Sequence, residues 1–247
     1  MQPLLVIEHE AQCPPGWMGE WLSDAGAELE VRRPYAGDAL PAGLGDNAGL
    51  VVLGGEMGAN DDATYPWLTE VKRLIVAAAE DGIATLGICL GHQLVAVALG
   101  GTVGVNPRGQ QLGVLDVGWT EQATQDELFA PLAQAAAGAA RRTRAVQWNN
   151  DIVVEAPPGT DTLARTPEGE LQAARFASRV WGVQWHPEAG PDIIGRWADN
   201  DRDHAREQGV DLDRYLAQVA AARAEMRSTW RVLANRFLTV CKGPVRT

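Results

Sequence analysis

Apolar residues in the first hundred positions come in short unbroken runs: "LLVI" (Leu4 to Ile7), "LEV" beyond Ala27, "GLVVLGG" (Gly49 to Gly55) and "GIATLGI" (Gly82 to Ile88). Runs this short, several of them bordered by glycine, predict strands buried on both faces of a parallel sheet. Between the last two, Pro66 opens a segment in which Val71, Leu74, Ile75 and Ala78 recur at i, i+3, i+4 and i+7, one face of a helix. After Ile88, "HQLVAVALGG" predicts a short helix closed by Gly100 and Gly101. The resulting β-α-β-α rhythm argues for a doubly wound sheet.

From Thr102 to Arg179 the pattern loosens. Gln111 to Val117, Arg144 to Trp148, Ile152 to Val154 and Leu171 to Phe176 read as strands, while "PLAQAAAGAARR" fits either a helix or a mobile connection. "VWGVQW" (Val180 to Trp185) is a strand with Trp181, Val183 and Trp185 on one face. From Asp211 onward Leu212, Leu216, Val219, Ala222, Met226, Trp230, Leu233 and Phe237 step by three or four, a long amphipathic helix. Its apolar stripe most simply covers the core; a partner-binding face is the alternative.

Composition narrows the class. The chain has 247 residues, 46% hydrophobic, which suits one α/β domain with a sizeable core. We read a single domain over 1–247, a three-layer αβα (flavodoxin-like) arrangement with a core over about 1–200 and a C-terminal helical extension over about 201–247. A net charge of −11 without a dense Lys/Arg stripe argues against nucleic-acid binding. Apolar stretches such as "LIVAAA" fall short of the roughly 18–20 residues of a membrane span, and "MQPLLVIEHE" reads as a first strand, not a signal peptide. Cys13, Cys89 and Cys241, odd in number and widely spaced, form no disulfide framework or zinc site, so a reducing cytoplasm is the expected compartment.

The candidate chemistry centres on "ATLGICLGHQ", residues 84 to 93, where Cys89 lies between Gly87 and Gly91. A strand running through G-x-nucleophile-x-G into a helix is a nucleophile elbow, whose turn is too tight for a Cβ at either flank. The elbow would hold the sulfur at the carboxyl end of the sheet, near the positive end of the following helix, where thiolate is favoured. Alone, G-x-C-x-G fits a buried core cysteine equally well; the motif needs a base. Of four histidines, His9 follows the first strand, His92 suits packing or capping in the helix, and His204 lies in the charged stretch "DNDRDHARE", which reads as solvated surface. His186 follows "VWGVQW" directly and begins "HPE"; along extended chain Glu188 aligns with it, and Pro187 stiffens the step. Cys89 as nucleophile, His186 as general acid/base and Glu188 as its orienter make a triad. The order Cys, His, Glu differs from that of the α/β-hydrolases.

"LGICLGHQ" together with "VQWHPE" resembles the class I (triad) glutamine amidotransferases, over about Leu4 to Glu188. "VVLGGEMGANDDATYPWL" followed by "LGICLGHQLVAVALGG" is especially similar to the stand-alone GMP-synthase-like members. The resemblance implies attack of Cys89 on a glutamine side-chain amide, a γ-glutamyl thioester, release of ammonia, and hydrolysis to glutamate. It implies an oxyanion hole from the backbone N–H groups of Gly55 and Leu90, and substrate contacts from Gln93, Met57, Asn150 and Asp151. Here the sequence departs from many relatives: "VQWNNDIV" carries Asn149 where they have a histidine, which leaves the triad intact but alters the substrate end. Trp148 reads as core or pocket wall.

Three functional readings follow. The first is a glutaminase that supplies ammonia to a separate ATP-dependent synthetase, since the chain has no G-x-x-x-x-G-K-[ST] loop. The second is a stand-alone γ-glutamyl hydrolase using the same triad. The third, a non-catalytic regulatory relative, sits poorly with an intact Cys89, His186 and Glu188. Thiolate chemistry with an internal base calls for no metal or organic cofactor.

Overall fold

The computed structural model describes residues 2–139, 142–207 and 210–243. Four runs expected as strands appear as β1 (Leu4–Ile7), β2 (Leu29–Arg32), β3 (Gly49–Val52) and β4 (Ala84–Ile88). With β11 (Val180–Val183), β10 (Leu171–Ala177) and β9 (Asp161–Arg165) they form one sheet in the order β2-β1-β3-β4-β11-β10-β9. The first five strands of that order are mutually parallel; β10 runs antiparallel to both β11 and β9. Two small antiparallel ladders stand apart, β5 (Thr102–Val105) with β8 (Asp151–Glu155) and β6 (Gln111–Asp116) with β7 (Arg144–Asn149).

Alternation along the strands divides the core in two. Leu4, Val6, Val51, Leu86 and Ile88 face one side; Leu5, Ile7, Leu50 and Val52 face the other. The second side is covered by α2 (Trp67–Glu80) and α3 (Leu90–Ala98). Val71, Leu74, Ile75 and Ala78, the four positions expected on the helix face, are completely buried there. The first side is covered by α1 (Gly16–Asp24), α4 (Ala130–Ala139), α5 (Pro191–Glu207) and α6 (Leu212–Lys242). The Ala-rich stretch left open by the sequence is thus helical through residue 139.

The long C-terminal helix spends its apolar stripe inside the molecule. Leu212, Val219, Ala222, Met226, Trp230, Leu233 and Phe237 are all buried and only Leu216 is half-exposed. Trp230 stacks at 5.3 Å on Trp185, a contact worth about 0.5–1.5 kcal/mol beyond its buried area. That face is therefore not free for a partner. The charged stretch expected as solvated surface is the second half of α5, whose Ile193, Ile194, Trp197, Ala198 and Ala205 are buried. His204 lies on this helix, with its side chain outside the described residues. The three cysteines are free and buried. Among the described residues no helix is long and apolar enough to cross a membrane, and no group of His, Cys, Asp or Glu is arranged to hold a metal ion.

Candidate active site

One residue makes the corner between β4 and α3. Cys89 has φ 52° and ψ −106°, and among the described residues it is the sole non-glycine with positive φ. Its N–H donates to the Val183 carbonyl at 2.8 Å and its carbonyl accepts from the Gln93 N–H at 3.1 Å, so the corner is pinned on both sides. A Cβ at Gly87 would lie 2.4 Å from the Gly91 carbonyl oxygen, and one at Gly91 would lie 2.0 Å from the Val52 oxygen. Both contacts are with backbone, which cannot rotate away; hence glycine on each flank. Cys89 is the residue that leads into α3, so its side chain stands at the end of the helix where the backbone N–H groups are unpaired.

The base arrives from the neighbouring strand. β11 pairs in parallel with β4, Val183 opposite Ile88, so the chain leaving β11 emerges beside the corner. Strand pairing stops at Val183, two residues earlier than the sequence suggests, and the His186 N–H is held instead by the Val146 carbonyl at 2.9 Å. His186 Nδ1 lies 2.7 Å from Glu188 Oε1, both side chains being buried. A carboxylate oxygen accepts, so Nδ1 carries the proton and Nε2 is the ring nitrogen left for Cys89. Burial alone would lower the His186 pKa. The charges of Cys89 and Glu188 and the bonds to both overcome it and hold the imidazole well above its usual value.

Several supports were not visible in the sequence. The Trp17 N–H, at the start of α1, donates to the Glu188 carbonyl at 2.9 Å, and Gly16 (φ 48°) has that oxygen 2.4 Å from where a Cβ would be. The Trp197 ring of α5 lies edge-on to His186, centroids 4.6 Å apart, and its Nε1 donates to the Gln12 carbonyl at 2.8 Å. Trp148 packs against Trp197 and lines the cavity, as expected of a wall.

Above the corner opens a cavity of about 400 Å³. Of the residues named from sequence, Cys89, His186, Gly55, Met57, Gln93, Asn150 and Asp151 line it. Leu90 and Glu188 lie just behind, almost wholly buried. Gly55 is close-packed: a Cβ there would lie 2.6 Å from the Met57 sulfur and 3.1 Å from Leu90 Cδ2. The Asp151 carbonyl already accepts from Gln93 Nε2 (2.9 Å) and Asn149 Nδ2 (3.1 Å), so both its lone pairs are used inside the protein. A substrate contact through that oxygen is closed, which leaves Asp151 its backbone N–H and its carboxyl. The pKa of that carboxyl is raised by burial and by the charge of Asp61.

The cavity also contains residues the sequence reading passed over: Glu10, Gln12 and Cys13 beyond β1, Glu56 in the loop after β3, and Asn200 and Asp201 of α5. Burial pushes the Glu10 carboxyl up to about 7, and a shared hydrogen bond with Glu56 adds to the rise. Cys13 donates to Glu10 at 3.0 Å; burial first, then that carboxyl, hold its thiol well above the usual range and keep it protonated. The signal that could have found Glu10 was its position. Loops beyond the carboxyl ends of parallel strands are where such folds place ligands.

His9 and His92 are not bases. Both are fully buried, and burial pushes each down to about 3. His9 Nδ1 accepts from Trp67 Nε1 at 3.3 Å, and His92 packs against Phe176 with centroids 5.1 Å apart.

Comparisons with known proteins bear on the family and the fold. The family model for the class-I glutamine amidotransferase domain matches residues 20–196. A GMP synthase (glutamine-hydrolyzing) of Aeropyrum pernix is 30% identical over 214 residues, 85% of this chain and 34% of that protein. The chain therefore spans about a third of that relative. The glutamine amidotransferase-like protein YfeJ of Salmonella typhimurium is 28% identical over 92% of this chain and 94% of its own length. The solved glutamine amidotransferase of Thermotoga maritima superposes with TM-score 0.83 at 24% identity, covering 96% of this chain and 98% of that one. At that identity the likeness speaks for the fold.

Proposed function

The chain belongs to the class-I glutamine amidotransferase family, and we propose that it hydrolyses the side-chain amide of glutamine through Cys89, releasing ammonia for a separate synthetase. The observation that carries the reading is the Cys89–His186–Glu188 constellation: a strained corner thiol at a helix N-terminus, sharing one cavity with an imidazole that a buried carboxylate holds at 2.7 Å.

In this reading the Cys89 thiolate attacks the amide carbon, forming a C–S bond as the carbonyl π electrons move to oxygen. The backbone N–H groups of Gly55 and Leu90 receive the developing oxyanion, where preorganised donors lower a barrier most. His186, protonated, delivers its Nε2 proton to the leaving nitrogen, the C–N bond breaks, and ammonia departs from a γ-glutamyl thioester. His186 then takes a proton from water as it attacks the thioester, and returns that proton to sulfur as glutamate leaves. Glu188 keeps the imidazole in the required tautomer throughout. Gln93, Met57 and Asn150, with the Asp151 carboxyl, would hold the amino-acid end of the substrate.

A partner synthetase is supported by relatives that are themselves one component of a larger enzyme, such as the glutamine-hydrolyzing GMP synthase subunit of Thermococcus kodakarensis, 32% identical over 49% of this chain and 61% of its own length. One observation favours a second reading, a stand-alone γ-glutamyl hydrolase. Glu10, Glu56, Asp151 and Asp201 line the cavity, and among the described residues no Lys or Arg lines it, an environment suited to a substrate with a cationic amine as leaving group. Ammonia release from glutamine, measured beside hydrolysis of a panel of γ-glutamyl amines, separates the two. Glutaminase turnover, rising when the synthetase is added, supports the first. High turnover on one γ-glutamyl amine with negligible ammonia from glutamine supports the second. Cys89→Ala should abolish both, and full activity in that variant would refute either.

A further inference from the structure

The wall beside the nucleophile is built from side-chain amides, and the orientation of each can be worked out from a backbone oxygen. The Asp151 carbonyl can only accept, so the group of Gln93 that meets it at 2.9 Å is the amide nitrogen. That nitrogen's second proton points to Gln184, 3.3 Å away, so Gln184 meets it with its oxygen. The Gln184 amide is thereby turned with Nε2 toward Cys89 Sγ, at 3.6 Å. Gln184 is completely buried, and its backbone N–H is fixed to the Gln172 carbonyl at 2.8 Å. A buried primary amide with its oxygen occupied and its N–H aimed at sulfur favours the charged form of that sulfur over the neutral one.

We propose that Gln184 is a positioning residue that donates a hydrogen bond to the Cys89 thiolate, set in place by Gln93, so that the nucleophile is held between an amide and the His186 imidazole. The proposal rests on Cys89 being the nucleophile. It has a corollary for Gln93: both protons of its amide nitrogen are committed inside the protein, so toward a substrate it can act only as an acceptor, through Oε1. It therefore suits an ammonium or amide N–H, not a carboxylate. The titratable groups that the Cys89 charge acts on are His186, bonded to Glu188 beyond β11, and Cys13, bonded to Glu10 beyond β1. None of them lies on the amide chain, so replacing Gln184 alters the donor without removing a charge.

The test follows the pH dependence of Cys89 alkylation by iodoacetamide, with the labelled peptide identified by mass spectrometry, alongside kcat and KM for glutamine. Gln184→Glu places a carboxylate against the sulfur; Gln184→Met keeps length and loses the donor. Both should raise the pH midpoint of alkylation, Glu more than Met, by about one unit or more, and lower kcat by about tenfold or more with KM little changed. A folded Met or Glu variant whose midpoint stays within about 0.3 pH unit of the parent, with kcat within twofold, overturns the proposal. Should neither variant fold, the native protein decides: the Gln184 side-chain amide resonance must shift with the same midpoint as thiolate absorbance, and a resonance that does not move overturns it. Alkylation reads the thiolate without turnover, so an active Cys89→Ala variant would sink the catalytic assignment while leaving this bond to be judged separately.

Discussion

The corner at Cys89 makes a prediction about stability whose sign runs against the ordinary rule. Compare Cys89→Ala with Cys89→Gly. Alanine removes the sulfur and keeps a Cβ at φ 52°; glycine removes both. At an unstrained site, glycine in place of alanine costs about 0.5–1 kcal/mol in chain entropy, and the lost buried methyl about 0.8 kcal/mol more. The sum, about 1.5 kcal/mol, corresponds to a melting temperature lower by roughly 3–6 °C for a chain of this size. A non-glycine residue held in this backbone region stores about 1–3 kcal/mol, which glycine releases. The two effects oppose, and the strain is the same size or larger. Cys89→Gly should therefore melt level with Cys89→Ala or above it, by calorimetry at one pH and scan rate. Neither variant has a thiol at position 89, so redox state cannot confuse the comparison. If the glycine variant melts several degrees below the alanine variant, the corner holds no strain and the elbow argument is wrong.

The other expectations follow from contacts and titration. Gly91→Ala puts a methyl 2.0 Å from the Val52 oxygen; it should cost about 3 kcal/mol or more, seen as a large loss of melting temperature, and parental stability would refute the packing. Glu188→Gln removes one of the charges holding the His186 proton, so the alkaline limb of the kcat/KM profile should move to lower pH and kcat should fall; an unmoved profile would remove the pairing from the mechanism. A raised His186 pKa contributes stability below its unfolded value near 6.5 and loses it as pH rises through the folded value, so the same variant should flatten the alkaline decline of stability. His9 and His92 have the opposite sign. Their folded values of about 3 lie below 6.5, so the unfolded chain binds more protons as pH falls. Together they should remove about 3 kcal/mol per pH unit through that window. The raised Glu10 carboxyl opposes this between about 4.5 and 7, leaving the steepest loss below 4.5; a denaturant-derived stability that is flat there would show the two imidazoles to be solvated.

What could be read from the sequence was what local geometry dictates. Gly87 and Gly91 flank the corner because backbone atoms occupy the space a Cβ needs, and that requirement is written within five residues. His186 and Glu188 meet because they are two residues apart. β1, β3 and β4 were legible because strands buried on both faces leave unbroken apolar runs. The strands β5 and β9 were not, being short and half-exposed, with no alternation of their own. The α5 helix went unrecognised because its second half is charged on every side except a narrow stripe, and with it went Trp197, the ring against His186. Glu10, Glu56 and Gln184 come to the cavity or its wall from three separate elements, a juxtaposition no spacing along the chain records.

The reacting distances are set by core packing some way from the cavity. Cys89 leaves β4 and His186 follows β11, so the register between these strands fixes how far apart the two begin. A two-residue slip would carry the imidazole roughly 6.6 Å along the strand, beyond any hydrogen bond with the sulfur. A one-residue slip would turn Trp181, Val183 and Trp185, all completely buried, away from α6 and toward the α2–α3 face. The α2–α3 face is itself filled, so the slip would overpack it, at about 1–3 kcal/mol for each side chain, and leave voids beneath α6, at about 3–5 kcal/mol for each tryptophan, a sum comparable to the whole stability of a typical domain. The tryptophans of β11 and its continuation thus hold the base opposite the thiol. Truncating Trp185 should reduce activity beyond what the lost stability explains, even though the ring does not line the cavity.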